Sequence, residues 1–186
     1  MLDVPVLGRL IRATGQIPVY RMTADASQAF RAAVAAVNEG KCVVVYPEGT
    51  ITRDPGLWPM VGKTGAARIA LSTNAPVVPV AQWGPQEILA PYAARPRLFP
   101  RKTMVVKAGD PVDLDDLRGR EPTPEVLREA TARIMAAITV LLEDIRGEQA
   151  PVERYDPRAH GVKQIGNPNR DKQPRRRRRR TTGGPR

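Results

Sequence analysis

Apolar residues recur at helical spacing in several segments of this chain. The clearest is residues 123–147, where Thr123 can cap a helix and Pro124 suits its first position. Apolar side chains repeat there every three or four residues, which indicates one buried face. The same spacing predicts further helices over residues 4–15, 25–40 and 63–74.

Between the helical segments, apolar residues form runs without regular alternation. Such runs are typical of strands that are covered on both faces, as in a parallel sheet. They occupy residues 41–46, 75–84 and 102–109. Because helices alternate with these strands, we predict an α/β domain: a three-layer sandwich with a mostly parallel central sheet flanked by helices. Cys42, the single cysteine, lies in the first run and is expected in the core.

Composition indicates which residues are expected to fold. A chain of 186 residues with 41% apolar residues suits one domain of ordinary size. From about Pro151 onward the sequence is rich in proline, glycine, asparagine and arginine and has no apolar periodicity, which is typical of disorder. We therefore predict a folded domain over residues 1–147 and a disordered, Arg-rich tail over residues 148–186.

The formal net charge of +11 is concentrated in that tail. Residues 170–186 hold nine Arg and Lys side chains against Asp171 alone, including the run Arg175–Arg180. Such a run can bind an anionic membrane surface, can bind nucleic acid, or can simply be solvated. The folded part is nearly balanced in charge and has no nucleic-acid-binding motif, so nucleic acid is not expected as a specific partner.

Targeting signals are not evident in the sequence. No segment has the order of a signal peptide, and none reaches the roughly 18 apolar residues of a spanning helix. The basic, amphipathic residues 4–15 and the tail would provide two weak membrane anchors. The chain is therefore expected to be cytosolic or to lie on a membrane surface, and the two anchors favour a cytoplasmic protein that is peripheral on the cytoplasmic face of the cell membrane.

The first apolar run ends abruptly in the sequence Pro47-Glu48-Gly49-Thr50. In open α/β sheets, ligands bind beyond the carboxyl ends of strands, which is where this stretch falls. Pro47 can fix the turn, Gly49 permits a positive φ, and Thr50 can offer its hydroxyl to an anion.

Two cations follow this turn. Arg53 presents a planar fork that suits phosphate, and Lys63 adds a point charge where the next helix is predicted to begin. Glu48 would then contact a ligand hydroxyl or hold one of the cations in place. The pattern predicts an anion site, although an ordinary Pro-Glu-Gly turn with solvated charges around it is the alternative.

Three motifs in this order resemble those of the glycerophospholipid acyltransferases, the 1-acyl-glycerol-3-phosphate (lysophosphatidic acid) acyltransferase family. YPEGTITR, residues 46–53, resembles the family's third motif, usually Phe-Pro-Glu-Gly-Thr-Arg-Ser. GQIPVYR, residues 15–21, is similar to the second motif, and APVVPVA, residues 75–81, to the fourth, around Pro79. GKTGAARIAL, residues 62–71, also has the family's character, so the resemblance extends over about residues 4–112.

The resemblance implies an activity and a set of binding residues. The activity is transfer of an acyl chain from acyl-CoA or acyl carrier protein to the free hydroxyl of a lysophospholipid, with no metal and no cofactor beyond that thioester. The residues implied to hold the glycerol-phosphate head are Arg21, Glu48, Gly49, Thr50, Arg53 and Lys63, with Pro47 and Pro79 as structural residues of the motifs. Ile51 stands where the family has an arginine, and Arg53 is expected to replace it.

The family's first motif, His-x-x-x-x-Asp, is absent from this sequence. In the family it supplies the base, because a hydroxyl of very high pKa is a poor nucleophile until a proton acceptor is in place. The single histidine, His160, falls in the predicted tail with Ile165 five residues on. We expect either a fragment or internal start of a longer protein, or a binding protein for lipid heads. In both cases we predict no catalytic residue and no substantial acyltransferase activity for residues 1–186.

Overall fold

The computed structural model of the chain describes residues 26–93, 95–162 and 166–167. Its elements are α1 (Ala26–Asn38), α2 (Gly65–Leu71), β1 (Val80–Trp83), α3 (Pro85–Ile88), β2 (Val105–Ala108), a 3-10 turn (Asp115–Leu117) and α4 (Pro124–Arg146). The chain is therefore of mixed α/β class. The predicted helix over residues 4–15 and the candidate ligand Arg21 lie outside the described residues.

Helix α4 has the ends that the sequence predicts. The Thr123 side chain accepts a hydrogen bond from the Val126 amide, Pro124 is the first helical residue, and Gly147 closes the helix at a φ of +65°. The predicted apolar face is confirmed at Leu127, Ala130 and Ile134, which are buried.

The main core lies between α4 and α2. The buried face of α4 packs against Ala67 and Ala70 of α2 and against Leu114 and Leu117. Arg118 closes the carboxyl end of α2, because its guanidinium donates to the carbonyls of Ala70, Thr73 and Ala75. This side chain satisfies carbonyl groups that a helix end leaves unpaired.

The two strands form a hairpin-like pair that packs on α4. Strand β1 pairs with β2 in antiparallel register, with Ala81 opposite Lys107 and Trp83 opposite Val105. Within the described residues, the strand pairing is antiparallel. The mostly parallel sheet and the three-layer arrangement are not confirmed by it and stay predictions.

The segment 41–46 differs from its prediction. It does not form a strand, Val44 is 78% exposed and Tyr46 is 71% exposed. Cys42, which we expected in the core, is exposed. A strand becomes buried only when neighbouring strands and helices cover it, and within residues 26–93, 95–162 and 166–167 no strand pairs with this segment.

The packed part of the chain continues beyond residue 147. The Ala150 amide donates to the Glu143 carboxylate at 2.8 Å, the Val61 amide donates to the Tyr155 carbonyl at 3.1 Å, and Pro157 is buried. Residues 148–162 therefore lie against the domain where disorder was expected. Backbone hydrogen bonds leave no apolar periodicity in a sequence, so the prediction had no signal for this segment. The Arg175–Arg180 run lies outside the described residues.

Within the ranges that the structure describes, no helix has both the length and the apolar character that crossing a membrane requires.

Arg146 joins the end of α4 to the two tryptophans of the chain. Its guanidinium lies 3.9 Å from the ring centroid of Trp58 and 4.3 Å from that of Trp83, and it donates to the Gly56 carbonyl at 2.8 Å. Trp58 belongs to a second buried cluster with Ala81 and Leu142. The arginine thus connects the segment around Trp58, the strand pair and α4.

We predict that Arg146→Lys lowers the free energy of unfolding by about 1–2 kcal/mol, because an ammonium cannot stack on two rings while also donating to Gly56. Urea unfolding checks this value. Arg128→Lys is the matched control on the same helix, since Arg128 forms an exposed pair with Glu125 and its replacement is expected to be nearly neutral. Equal effects of the two substitutions would contradict the role of Arg146.

Candidate functional site

The Pro47–Thr50 stretch forms a tight turn facing Lys63. The Gly49 amide donates to the Tyr46 carbonyl at 3.0 Å, and the Lys63 amide donates to the Pro47 carbonyl at 2.8 Å. Gly49 has a φ of +65°, the conformation that its sequence position predicted. A Cβ placed on Gly49 would lie 3.4 Å from Lys63 Nζ, so the ammonium group lies directly over the glycine.

Glu48 is the residue of this turn whose pKa is shifted. It is half-buried, and its Oε2 accepts a hydrogen bond from the Met60 amide at 3.3 Å. Burial raises the pKa of Glu48 from 4.5 to about 7, the Met60 hydrogen bond opposes this rise, and the charge of Asp54 adds to it. The carboxyl group can therefore donate or accept a hydrogen bond near neutral pH.

Arg53 is connected to Glu48 through Met60. The Arg53 amide contacts Met60 Sδ at 3.1 Å, while the amide of the same methionine donates to Glu48. Met60 is 2% exposed and is among the most deeply buried side chains. The Arg53 Nη2 donates to the Gly166 carbonyl at 3.1 Å, whereas Nε and Nη1 are buried without a hydrogen-bond partner in the described structure.

The segment that carries Met60 and Lys63 lies directly on α4. A Cβ placed on Gly62 would lie 2.8 Å from Met135 Cγ and 2.9 Å from Thr131 Cγ2, so only glycine fits this approach. The preceding turn is fixed by Asp54, whose carboxylate accepts from the amides of Gly56 and Trp58. These contacts hold the site on a rigid helix.

Sequence reasoning did not identify Met60, Asp54 or Gly62 as part of the site. Met60 acts through its backbone amide and a sulfur contact, which leave no motif. Asp54 stands before Pro55 and Gly56, a common turn sequence that could have indicated its two amide bonds.

The remaining predicted residues are distributed as follows. Thr50 is half-buried and directly follows Gly49, and Pro47 is half-buried with its carbonyl bonded to Lys63. Pro79 is buried, and its carbonyl accepts from the Gly109 amide at 3.0 Å, a structural position between the strand pair and the core. The structure thus brings Glu48, Gly49 and Lys63 together, and Arg53 joins them through Met60.

His160 lies in the packed segment 148–162. Its ring stacks on Tyr155 with centroids 4.3 Å apart, and its Nδ1 lies 2.9 Å from the Asp156 carbonyl oxygen. The side chain is exposed. These contacts are local to the segment, which accounts for the position of the histidine without a catalytic role.

We predict that Gly49→Ala lowers the free energy of unfolding by about 1–2 kcal/mol, because the left-handed conformation at this position, with a φ of +65°, is unfavourable for alanine. Gly65→Ala is the control, since Gly65 begins α2 with nothing within 4 Å of the added Cβ. That substitution is expected to stabilise by about 0.5–1 kcal/mol. Chemical denaturation of both variants tests the difference, and a neutral Gly49→Ala would contradict it.

We also predict a pH dependence from Glu48. Its pKa is about 7 in the folded protein and near 4.5 in the unfolded chain, so between these values the folded state keeps a proton that the unfolded state has lost. The free energy of unfolding due to this group therefore falls as pH rises from about 4.5 to 7, by roughly 1–3 kcal/mol, and is constant above that window. Urea unfolding of the natural chain and of Glu48→Gln across pH 4.5–8 measures this, because the variant lacks the titration. Parallel pH profiles would contradict the shifted pKa.

Comparison with known proteins agrees with the motifs. Residues 1–83 match the family model described as Acyltransferase. A relative named 1-acyl-sn-glycerol-3-phosphate acyltransferase BAT2, chloroplastic, from Brassica napus is 33% identical over 87 residues, which are 46% of this chain and 25% of the relative. This chain thus spans about a quarter of that relative's length. No solved structure matches the chain. Both matches support the similarity of this chain, over residues 1–83, to the glycerophospholipid acyltransferase family.

Proposed function

We propose that this chain holds the substrate head in an acyltransferase of phospholipid biosynthesis. The reaction is transfer of an acyl chain from acyl-CoA or acyl carrier protein to the free hydroxyl of 1-acyl-glycerol-3-phosphate, which gives phosphatidic acid. The observation that carries the proposal is the cluster of Glu48, Lys63 and Arg53 around the Gly49 turn, in a chain whose residues 1–83 match the acyltransferase family model.

The charges of this cluster suit a glycerol phosphate. Lys63 and Arg53 provide positive charge for the phosphate, and Arg21 from the second motif is proposed to join them. Glu48 is proposed to bind the glycerol hydroxyl rather than the phosphate, because an ionised carboxylate would repel the phosphate dianion. A pKa of about 7 lets Glu48 exchange hydrogen bonds with a hydroxyl in either protonation state.

The chemical step defines what else the reaction needs. The glycerol hydroxyl oxygen attacks the thioester carbonyl carbon, a C–O bond forms, and the C–S bond breaks to release the thiol. The hydroxyl proton passes to a base and finally to the thiolate sulfur. We propose that no residue of this chain is that base, so residues 1–186 bind the head group without substantial turnover.

A non-catalytic binding protein for lipid heads or polyanions is the second candidate function. It is favoured by the position of His160, which stacks on Tyr155 and is exposed, together with the absence of His-x-x-x-x-Asp from the sequence. In this version the same cluster binds phosphate, and the Arg175–Arg180 run adds attraction to an anionic surface.

The proposed setting is the cytoplasmic face of a membrane, where the substrate lies. A mostly parallel central sheet stays part of the proposal. Acyl carrier protein is proposed as an acyl donor and partner because the family resemblance implies either acyl-CoA or acyl carrier protein as the thioester.

The head-group role predicts a specific loss in Lys63→Gln. We expect this variant to bind monodisperse lysophosphatidic acid about tenfold more weakly than the natural chain, because one charged hydrogen bond to phosphate is removed. Lys107→Gln is the control, since Lys107 pairs with Asp144 on the surface of the strand pair. Isothermal titration measures both, with monoacylglycerol as a ligand that lacks the phosphate.

The same samples are assayed for thioester consumption with lysophosphatidic acid and acyl-CoA. Binding without turnover above background is expected. Robust turnover would overturn the assignment of residues 1–186 as the substrate-holding part alone. Equal binding of lysophosphatidic acid and monoacylglycerol would overturn the head-group site itself.

A further inference from the structure

Tyr92 combines two features that are unusual in one residue. Its backbone has a φ of +62°, a left-handed conformation that is unfavourable for a bulky side chain. Its hydroxyl oxygen is buried and has no hydrogen-bond partner in the described structure. A buried polar group without a partner is destabilising, so its presence in a strained residue requires an explanation.

The Arg53 guanidinium contacts the ring of this tyrosine. It lies over the Tyr92 ring at 5.9 Å from the centroid, and its Nε and Nη1 are likewise buried without partners. Three N–H or O–H donors on two side chains in contact thus lack acceptors, and an arginine offers no acceptor to a tyrosine. An anion would supply acceptors to all three groups.

We infer that Arg53 and Tyr92 form a subsite for a phosphate monoester. The guanidinium fork donates to two phosphate oxygens, and the Tyr92 hydroxyl donates to a phosphate oxygen beside it. Tyr92 is then a binding residue that none of the family motifs in this chain contains. That the phosphate belongs to a lysolipid head rests on the function proposed above, since the same chemistry fits the phosphates of coenzyme A.

The position of the pair supports this assignment. The Arg53 backbone amide contacts Met60 Sδ, and the Met60 amide donates to Glu48, so Arg53 belongs to the same packed segment as the acid that is proposed to bind the glycerol hydroxyl. In this structure the Arg53 Nη2 donates to the Gly166 carbonyl oxygen. That carbonyl is a neutral acceptor in the place of a phosphate oxygen, and the ligand must replace it.

The decisive variant is Tyr92→Phe, which deletes the hydroxyl and keeps the ring. We expect its Kd for glycerol 3-phosphate to rise about tenfold, as for one lost hydrogen bond to a charged group. The same variant is expected to resist urea as well as the natural chain or better, because a buried unpaired hydroxyl is removed. Tyr46→Phe is the control, since Tyr46 is 71% exposed, and it should leave the Kd unchanged.

A double-variant cycle adds a readout that packing alone would not produce. If both side chains bind one phosphate, Tyr92→Phe should weaken binding much less in an Arg53→Gln background than in the natural chain. Additive losses in the cycle would overturn the shared subsite. A Tyr92→Phe protein that is destabilised but binds normally would also overturn it, because the hydroxyl would then be structural.

Titrations of the natural chain and Tyr92→Phe with glycerol 3-phosphate, coenzyme A and inorganic phosphate separate the possible sources. Tyr92-dependent binding of glycerol 3-phosphate supports the inference together with the proposed function. Tyr92-dependent binding of coenzyme A or inorganic phosphate, without binding of glycerol 3-phosphate, supports the subsite and overturns the head-group function. Equal binding of glycerol 3-phosphate by both proteins overturns the subsite alone, and no binding of any of the three overturns both.

Discussion

The hydrogen bond from the Met60 amide to the Glu48 carboxylate is the interaction on which the site depends. It ties the turn at Gly49 to a buried residue, and Met60 Sδ contacts the Arg53 amide at the same time. Gly62, two residues on, lies against Met135 and Thr131 of α4 without room for a side chain. The longest helix of the described structure therefore sets the positions of the groups that surround the proposed ligand.

Burial and nearby charge explain why the pKa of Glu48 is raised. Glu48 is partly removed from water, and Asp54 adds negative charge, while the Met60 amide compensates only in part. A carboxyl group in such a place is poised near neutral pH, which suits contact with a hydroxyl rather than with a phosphate. Lys63 over Gly49 and Arg53 beyond Met60 supply positive charge in the same turn region, which suits the phosphorylated ligand proposed above.

Helix caps, helix faces and turn glycines were predictable from the sequence, because they depend on residues that are close together in the chain. The cap at Thr123, the proline at position 124, the apolar face of α4 and the positive φ of Gly49 all follow from residue types whose backbone or capping preferences are strong. The mixed α/β class was also predictable, because helical and continuous apolar patterns alternate.

Long-range contacts could not be predicted in this way. Residues 41–46 have the composition of a buried strand, but burial depends on neighbours that composition does not specify, and Val44 and Tyr46 are exposed. The packing of residues 148–162 rests on backbone bonds such as Val61 to Tyr155, and the contact of Arg53 with Tyr92 joins residues far apart in sequence. The candidate site was therefore predictable as a turn with nearby cations, whereas Met60, Asp54 and Tyr92 required the structure.

The most direct test of the account is a titration of the ¹⁵N-labelled chain with glycerol 3-phosphate, monitored through backbone amide chemical shifts. We expect the largest shifts at Glu48, Gly49, Thr50, Met60 and Lys63, with much smaller shifts along β1 and β2. Shifts that are confined to the strand pair or to the arginine run, with the Gly49 turn unaffected, would contradict it.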